Sequence, residues 1–206
     1  EAVAAGLYVH VTTQQVMDAM SPDAQGLLAV VATEEVTGSE ALTAALEGAR
    51  LVAVLTQAQD PGNAGAIIRA ADAAGADAVV LVRGSVDPTA PKVVRSTAGS
   101  LFHLPVVTGV ALDDAVTALH NAGLTVLAAD GRGDFDLFEA ESLLEAPSAW
   151  LLGNEAHGLP SEALSRADAV VSIPIYGKAE SLNVAAAAAV CLYASARAQA
   201  QNSSRS

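Results

Sequence analysis

From about Arg50 onward, short β-branched apolar runs alternate with segments of helical periodicity. The runs Leu51 to Leu55, Ala78 to Val82, Val106 to Val107, Thr125 to Ala129, Ala149 to Leu152 and Ala169 to Ile173 predict strands. Most are apolar at every position, as in strands covered on both faces, and the segments between them are long enough for crossover helices. The pattern therefore predicts an α/β fold, a mainly parallel sheet flanked by helices. Helices are expected over Ala64 to Ala74, Pro91 to Ala98, Leu112 to Ala122, Ser161 to Ala167 and Leu182 to Gln199. Asn63 can cap the first of these, Ser161 after Pro160 marks a start, and Gly75 and Gly123 can end helices.

Residues 1–48 carry a separate, smaller pattern: a helix near Thr13 to Met20, a strand at Leu27 to Val31 and a polar stretch at Thr33 to Glu40. That is too little for an independent core. The division expected is a partial small domain with its linker over 1–48 and the main domain over 49–206. The opening Glu1-Ala-Val-Ala-Ala-Gly has neither an initiator methionine nor the basic segment of a signal peptide, and reads as a cut beginning. The polar end from Gln199 to Ser206 reads as a frayed tail.

Composition supports a folded chain. In 206 residues, 52% are apolar and mean hydropathy is +0.39, enough for a sizeable core. Aromatics make up 3%, so Val, Leu, Ile and Ala must build that core. The formal charge of −13 repels polyanions at long range. A nucleic-acid partner would need a local cationic patch or another module. Five of the ten basic residues, Arg69, Arg83, Lys92, Arg95 and Arg132, fall between positions 69 and 132. They can form a cationic strip on one sheet edge or stand as separate solvated charges. Cys191 is the single cysteine and lies in an apolar stretch, so it can form no internal disulfide and a reducing, cytoplasmic setting is expected. The run from Val184 to Ala194 is mostly alanine and falls short of the ~20 residues of a membrane span, so a soluble protein is expected.

Three segments place polar and turn residues beside apolar runs: Asp60-Pro-Gly-Asn-Ala-Gly-Ala-Ile-Ile-Arg69, Gly153-Asn-Glu-Ala-His-Gly-Leu-Pro160 and Ile173-Pro-Ile-Tyr-Gly-Lys-Ala-Glu-Ser-Leu-Asn183. Pro61-Gly62 turns the chain after a buried strand. Asn63 there can be a helix cap or a group presented to a ligand. Arg69 sits among Ala66, Ile67, Ile68, Ala70 and Ala71, where a guanidinium is solvated, salt-bridged or functional. Glu155 follows a buried strand at the carboxyl edge of the sheet, where open α/β sheets bind ligands, though it can equally cap a backbone amide. Ser181 can cap the last helix or face a pocket. His157 has no second histidine at ligand spacing and no cysteine pair beside it, so no metal is expected. Neither G-x-G-x-x-G nor G-x-x-x-x-G-K-[ST] occurs, which removes the standard dinucleotide and P-loop readings. A hydrolase built on Lys178 and Ser181 has the wrong residue order and no nucleophile elbow.

These segments resemble motifs 1, 2 and 3 of the SpoU (TrmH-type) RNA ribose 2′-O-methyltransferases of the SPOUT class, in the right order. The likeness covers about Leu51 to Ala200 and includes the segment Pro91-Lys-Val-Val-Arg-Ser-Thr-Ala-Gly-Ser100. Residues 1 to 48 resemble the end of an L30e-like RNA-binding domain. The resemblance implies a trefoil-knotted catalytic domain, a homodimer with each site near the subunit interface, and S-adenosylmethionine as methyl donor. It places the cofactor on backbone around Leu152, Gly153, Ile173, Ser181 and Leu182, and the catalytic set at Asn63, Arg69, Glu155, Ser181 and Asn183. Structured RNA, ribosomal before transfer, is the substrate it implies. Ala70 stands where relatives commonly have threonine, and Ala185 where they commonly have serine; both changes spare the polar set.

In this family Arg69 would be described as a general base, but neutralising arginine at pH 7 costs roughly 7 kcal/mol. The expected role is a fixed cation on the RNA phosphate that stabilises the developing alkoxide, with phosphate or water taking the proton. Asn63 would orient the ribose, Glu155 would position Arg69 or Asn63, and Ser181 with Asn183 would shape the pocket. The charge of −13 favours a rival, a SpoU-like module that binds RNA or protein without methylating. A methyltransferase for a small molecule or protein is a third reading.

Overall fold

The computed structural model describes residues 2–22, 24–32, 36–154 and 158–204. They belong to two compact units, divided between Glu35 and Val36.

In the first unit, α1 (Gln14–Met20) starts at Thr13, whose hydroxyl accepts from the Val16 N–H at 3.4 Å, and none of its residues is buried. The strand expected at Leu27 to Val31 does not form. Among the described residues it has no neighbouring strand to bond, and Leu27 and Val30 stay exposed; an unpaired strand leaves its backbone groups without partners.

The second unit runs α2 (Gly38–Ala45), β1 (Leu51–Leu55), α3 (Pro61–Ala73), β2 (Ala78–Val82), α4 (Pro91–Thr97), a 3-10 turn, β3 (Val106–Val110), α5 (Leu112–Asn121), β4 (Thr125–Ala129), β5 (Phe135–Asp136), α6 (Glu141–Leu144), β6 (Ser148–Leu152), α7 (Ser161–Arg166), β7 (Ala169–Ser172) and α8 (Val184–Ser203). The strands form one parallel sheet in the order β3-β2-β1-β6-β4-β7-β5. β1, β2 and β6 are buried at every position because helices cover both faces. One face packs on Ile67 and Ile68 of α3, Val93 of α4 and Leu192 of α8. The other packs on Leu42 of α2, Leu119 of α5 and Ala163 of α7.

The compact unit starts at Val36, where the sequence pattern set the boundary at 48/49. The chain here bonds to the sheet edge, Thr108 N–H donating to the Val36 carbonyl at 3.0 Å, and α2 then buries Leu42 and Leu46. That helix, β5 and α6 lie outside the elements expected from periodicity. They are short, too short to establish a period in the sequence.

Two features of the sheet bear on the site. β7 lies between β4 and β5, so the 130–134 connection must pass over the carboxyl end of β7. It does so backbone on backbone: a Cβ on Gly133 would sit 2.7 Å from Ser172 N and Val170 O. α8 is fixed to the sheet by a buried polar cluster. The Trp150 indole donates to Ser195 Oγ at 2.9 Å, and the Gln199 amide donates to the carbonyls of Ala146 and Arg50 at 3.0 and 3.1 Å.

Candidate functional site

The three motif segments leave the sheet at the carboxyl ends of β1, β6 and β7, all on one edge because the strands are parallel. Thr56, buried after β1, ties the first two together: its N–H and hydroxyl both donate to the Leu152 carbonyl, at 2.9 and 3.0 Å. Both acceptor sites of that carbonyl are thereby occupied. The Asn154 amide also donates to the Gln57 carbonyl at 3.4 Å, and Gln57 takes a positive φ of 55° to turn the chain there. Neither Thr56 nor Gln57 carries a signal in the sequence, since each matters only through a neighbour about 97 residues away.

Capping decides which side chains are free. Asp60, not Asn63, caps α3: its Oδ1 accepts from the Asn63 N–H at 2.8 Å, with Pro61 as the first helical residue. Likewise Asn183, not Ser181, caps α8, its Oδ1 accepting from Ala185 N and Ala186 N at 2.9 and 3.3 Å. The capping asparagine still has an amide to donate, and it gives it to Asn63 Oδ1 at 3.2 Å. Motifs 1 and 3 thus meet side chain to side chain. Ser181 is left exposed, its hydroxyl making no hydrogen bond to a described residue.

Beside this contact lies an open cavity of about 180 Å³. Its floor is the end of β4 (Ala129, Asp130, Gly131) and the motif 2 turn (Gly153, Asn154, Gly158), and its walls are Ile173, Ser181, Leu182 and Val184. A hollow of about 20 Å³ continues from it to Asn63 and Asp60 through the shared residues Gly153, Asn154 and Val184. Glycine is required at 153, where a Cβ would lie 2.5 Å from the Gly158 carbonyl carbon. Folded back this closely, the turn presents main chain to the cavity. Aliphatic walls with main-chain donors and acceptors suit a flat heterocycle.

Sequence reasoning missed Asp130. Its side chain is 8% exposed and is gripped by Arg132, Nε to Oδ1 at 2.9 Å and Nη2 to Oδ2 at 3.0 Å. That hydrogen bonding holds the carboxyl below its ordinary range and raises the guanidinium. Its only sequence signal is a strand followed by Asp-Gly. Of the expected catalytic set, the structure joins Asn63 and Asn183 directly and puts Ser181 on the wall of the adjoining cavity. Arg69 lies two turns along α3, exposed, with no hydrogen bond or ion pair to a described residue. Glu155 lies outside the described residues, as does His157. Leu152 is buried beneath the site, while Gly153, Ile173, Ser181 and Leu182 line the cavity. Of the five basic positions, Arg83 donates to the Gly109 carbonyl and Arg132 pairs with Asp130. Cys191 is buried, and burial pushes its thiol up to about 12. Among the described residues no group of His, Cys, Asp and Glu is placed to share a metal ion.

A parallel sheet with ligand-sized space where three turn motifs converge at its carboxyl edge defines a class of α/β ligand-binding domain. Comparison with known proteins narrows it. Residues 50–193 match the model of the SpoU rRNA Methylase family, and the chain belongs to that family. It is 42% identical over 151 residues to a Bacillus subtilis protein named 23S rRNA (guanosine(2553)-2′-O)-methyltransferase RlmP, covering 72% of this chain and 58% of that one. Among solved structures, the SpoU methyltransferase AviRb of Streptomyces viridochromogenes in complex with AdoMet is 37% identical, with TM-score 0.67 over 73% of this chain and 60% of that one. An AdoMet-bound rRNA methyltransferase from Sinorhizobium meliloti is 31% identical, with TM-score 0.78 over 95% of this chain and 74% of that one. The chain spans about half the length of the first curated relatives it matches.

Proposed function

We propose that this chain carries the catalytic domain of an S-adenosylmethionine-dependent methyltransferase that modifies a ribose 2′-hydroxyl in ribosomal RNA. The observation that carries this reading is the Asn183–Asn63 contact beside a cavity lined by Gly153, Ile173, Ser181 and Leu182, which joins all three motifs. The aliphatic walls and the main chain of the motif 2 turn fit an adenosine. S-adenosylmethionine, when bound, supplies an electrophilic methyl group.

The work of the protein is then to place and charge-balance the acceptor. Arg69, exposed and unpaired among the described residues, fixes an RNA phosphate and stabilises the oxygen as it becomes negative. The hydroxyl proton leaves to that phosphate or to water, since a neutral guanidine is too costly at pH 7. Asn63 orients the ribose, while Asn183 holds Asn63 and caps α8. Glu155 is assigned to the positioning of Arg69 or Asn63.

Further parts of the reading come from family membership. The chain after β7 threads beneath the 130–134 bridge as a trefoil knot. The segment ahead of Val36 is the end of an L30e-like RNA-binding domain, and 36–48 join the main unit. The protein acts in the cytoplasm as a homodimer with each site near the subunit interface; exposed Phe138 and Tyr193 offer apolar surface for such a contact. Among the described residues no helix is long and apolar enough to cross a membrane.

Two measurements test the proposal. Calorimetry with S-adenosylmethionine or S-adenosylhomocysteine should show micromolar binding, on the order of −8 kcal/mol. Mass-spectrometric mapping of ribosomal RNA from a deletion strain should show loss of one ribose methylation. Absence of binding would favour the non-catalytic module; binding with an unchanged RNA map would favour another acceptor.

A further inference from the structure

The charge around the cavity does not balance. Two titratable residues line it among the described residues, Asp130 and Glu180, and no lysine, arginine or histidine does. The Asp130 carboxylate is matched on both oxygens by the Arg132 guanidinium, so its charge is cancelled where it stands. Glu180 has no such match: it is exposed and makes no hydrogen bond or ion pair with a described residue. Among the described residues one negative charge is therefore left over at a cavity whose other lining side chains, Asn154 and Ser181 included, are uncharged. Because Glu180 is exposed, water and salt screen part of its field, and what remains acts on whatever enters the cavity.

We propose that Glu180 is a specificity-determining residue of this cavity, favouring a cationic sulfonium ligand over the thioether that remains after methyl transfer. The inference rests on the reading of the cavity as the S-adenosylmethionine site. In the reaction the methyl carbon leaves sulfur for the ribose oxygen, sulfur keeps the electron pair of the broken bond, and the hydroxyl proton departs. The donor thus loses one unit of positive charge on becoming product. An unmatched carboxylate feels that loss even without touching the sulfur. Glu180 would strengthen donor binding and ease product release together. It is placed for this only by the fold, because its neighbour in the cavity wall, Asp130, lies 50 positions away and has been neutralised.

The test is calorimetric titration of S-adenosylmethionine and S-adenosylhomocysteine into the full chain and its Glu180→Gln and Glu180→Asp variants, at low and high salt. The ratio of the two affinities is the readout, and it does not depend on turnover. In Glu180→Gln the preference for the sulfonium ligand should fall about three- to ten-fold, chiefly through weaker donor binding. High salt should shrink the difference between wild type and variant, and Glu180→Asp should keep most of the preference. An unchanged ratio in Glu180→Gln overturns the proposal, as does equal weakening of both ligands, which would mark a contact with the shared amino-acid end. If neither ligand binds the wild type, the methyltransferase reading fails and this inference falls with it; if both bind with an unchanged ratio, only this inference falls.

Discussion

The side-chain amide of Asn183 donates to Oδ1 of Asn63 at 3.2 Å, across 120 residues of chain. Each residue sits at a helix N-terminus, yet only Asn183 caps its helix; the cap of α3 is Asp60. Stability and chemistry are thus assigned to different residues of motif 1. Asp60→Ala should cost about 1 kcal/mol of stability through the lost cap. Asn63→Ala should change stability by under about 0.5 kcal/mol while lowering turnover at least ten-fold. Denaturant unfolding and RNA methylation assays on both variants check the assignment, and the reverse pattern would refute it.

Arg69 is a permanent cation in the proposed mechanism. Arg69→Ala should leave S-adenosylhomocysteine affinity within a factor of about three and lower turnover at least a hundred-fold, some 2.7 kcal/mol of transition-state stabilisation. Arg69→Lys should be only a partial substitute, because an ammonium lacks the planar fork that grips phosphate. If lysine restored near wild-type turnover with a displaced pH optimum, a titrating base would be the better account.

The Asp130–Arg132 pair sets a pH dependence. Its hydrogen bonds to Arg132 hold the Asp130 carboxyl below its ordinary value near 3.9, so the ionised form is favoured in the folded state. The stabilisation is fully present above about pH 4 and is lost as pH falls through the depressed folded value. Arg132→Gln should therefore lower the denaturation midpoint at pH 7, and the gap to wild type should narrow as pH falls below the ordinary carboxylate value. A gap independent of pH would show that the pair contributes through packing alone.

Ser195 accepts the indole N–H of Trp150 inside the core. Ser195→Ala should cost about 1–3 kcal/mol, because the buried donor is left without a partner. Thermal melts report the loss. Cofactor affinity should change little, since neither Trp150 nor Ser195 lines the cavity.

Much of this was legible in the amino-acid order. Leu51–Leu55 and Ala78–Val82 are strands with the bounds their apolar runs announce, because burial on both faces leaves no polar position to blur them; Thr125–Ala129 also keeps its expected bounds, with its two ends half-buried. The family likeness was legible too, carried by turn residues that no core requires. What the order could not decide was which of two nearby cap-formers takes the helix end. Asp60 and Asn63 compete for α3, and Ser181 and Asn183 for α8, with similar local chemistry. Nor could it decide that Thr108 and the sheet edge draw Val36 and α2 into the main unit, or that Arg132 neutralises Asp130 while Glu180 stays unmatched. Apolar periodicity is a property of neighbouring residues and survives in one dimension. Strand order, cap selection and charge balance depend on groups that meet only after the sheet has assembled.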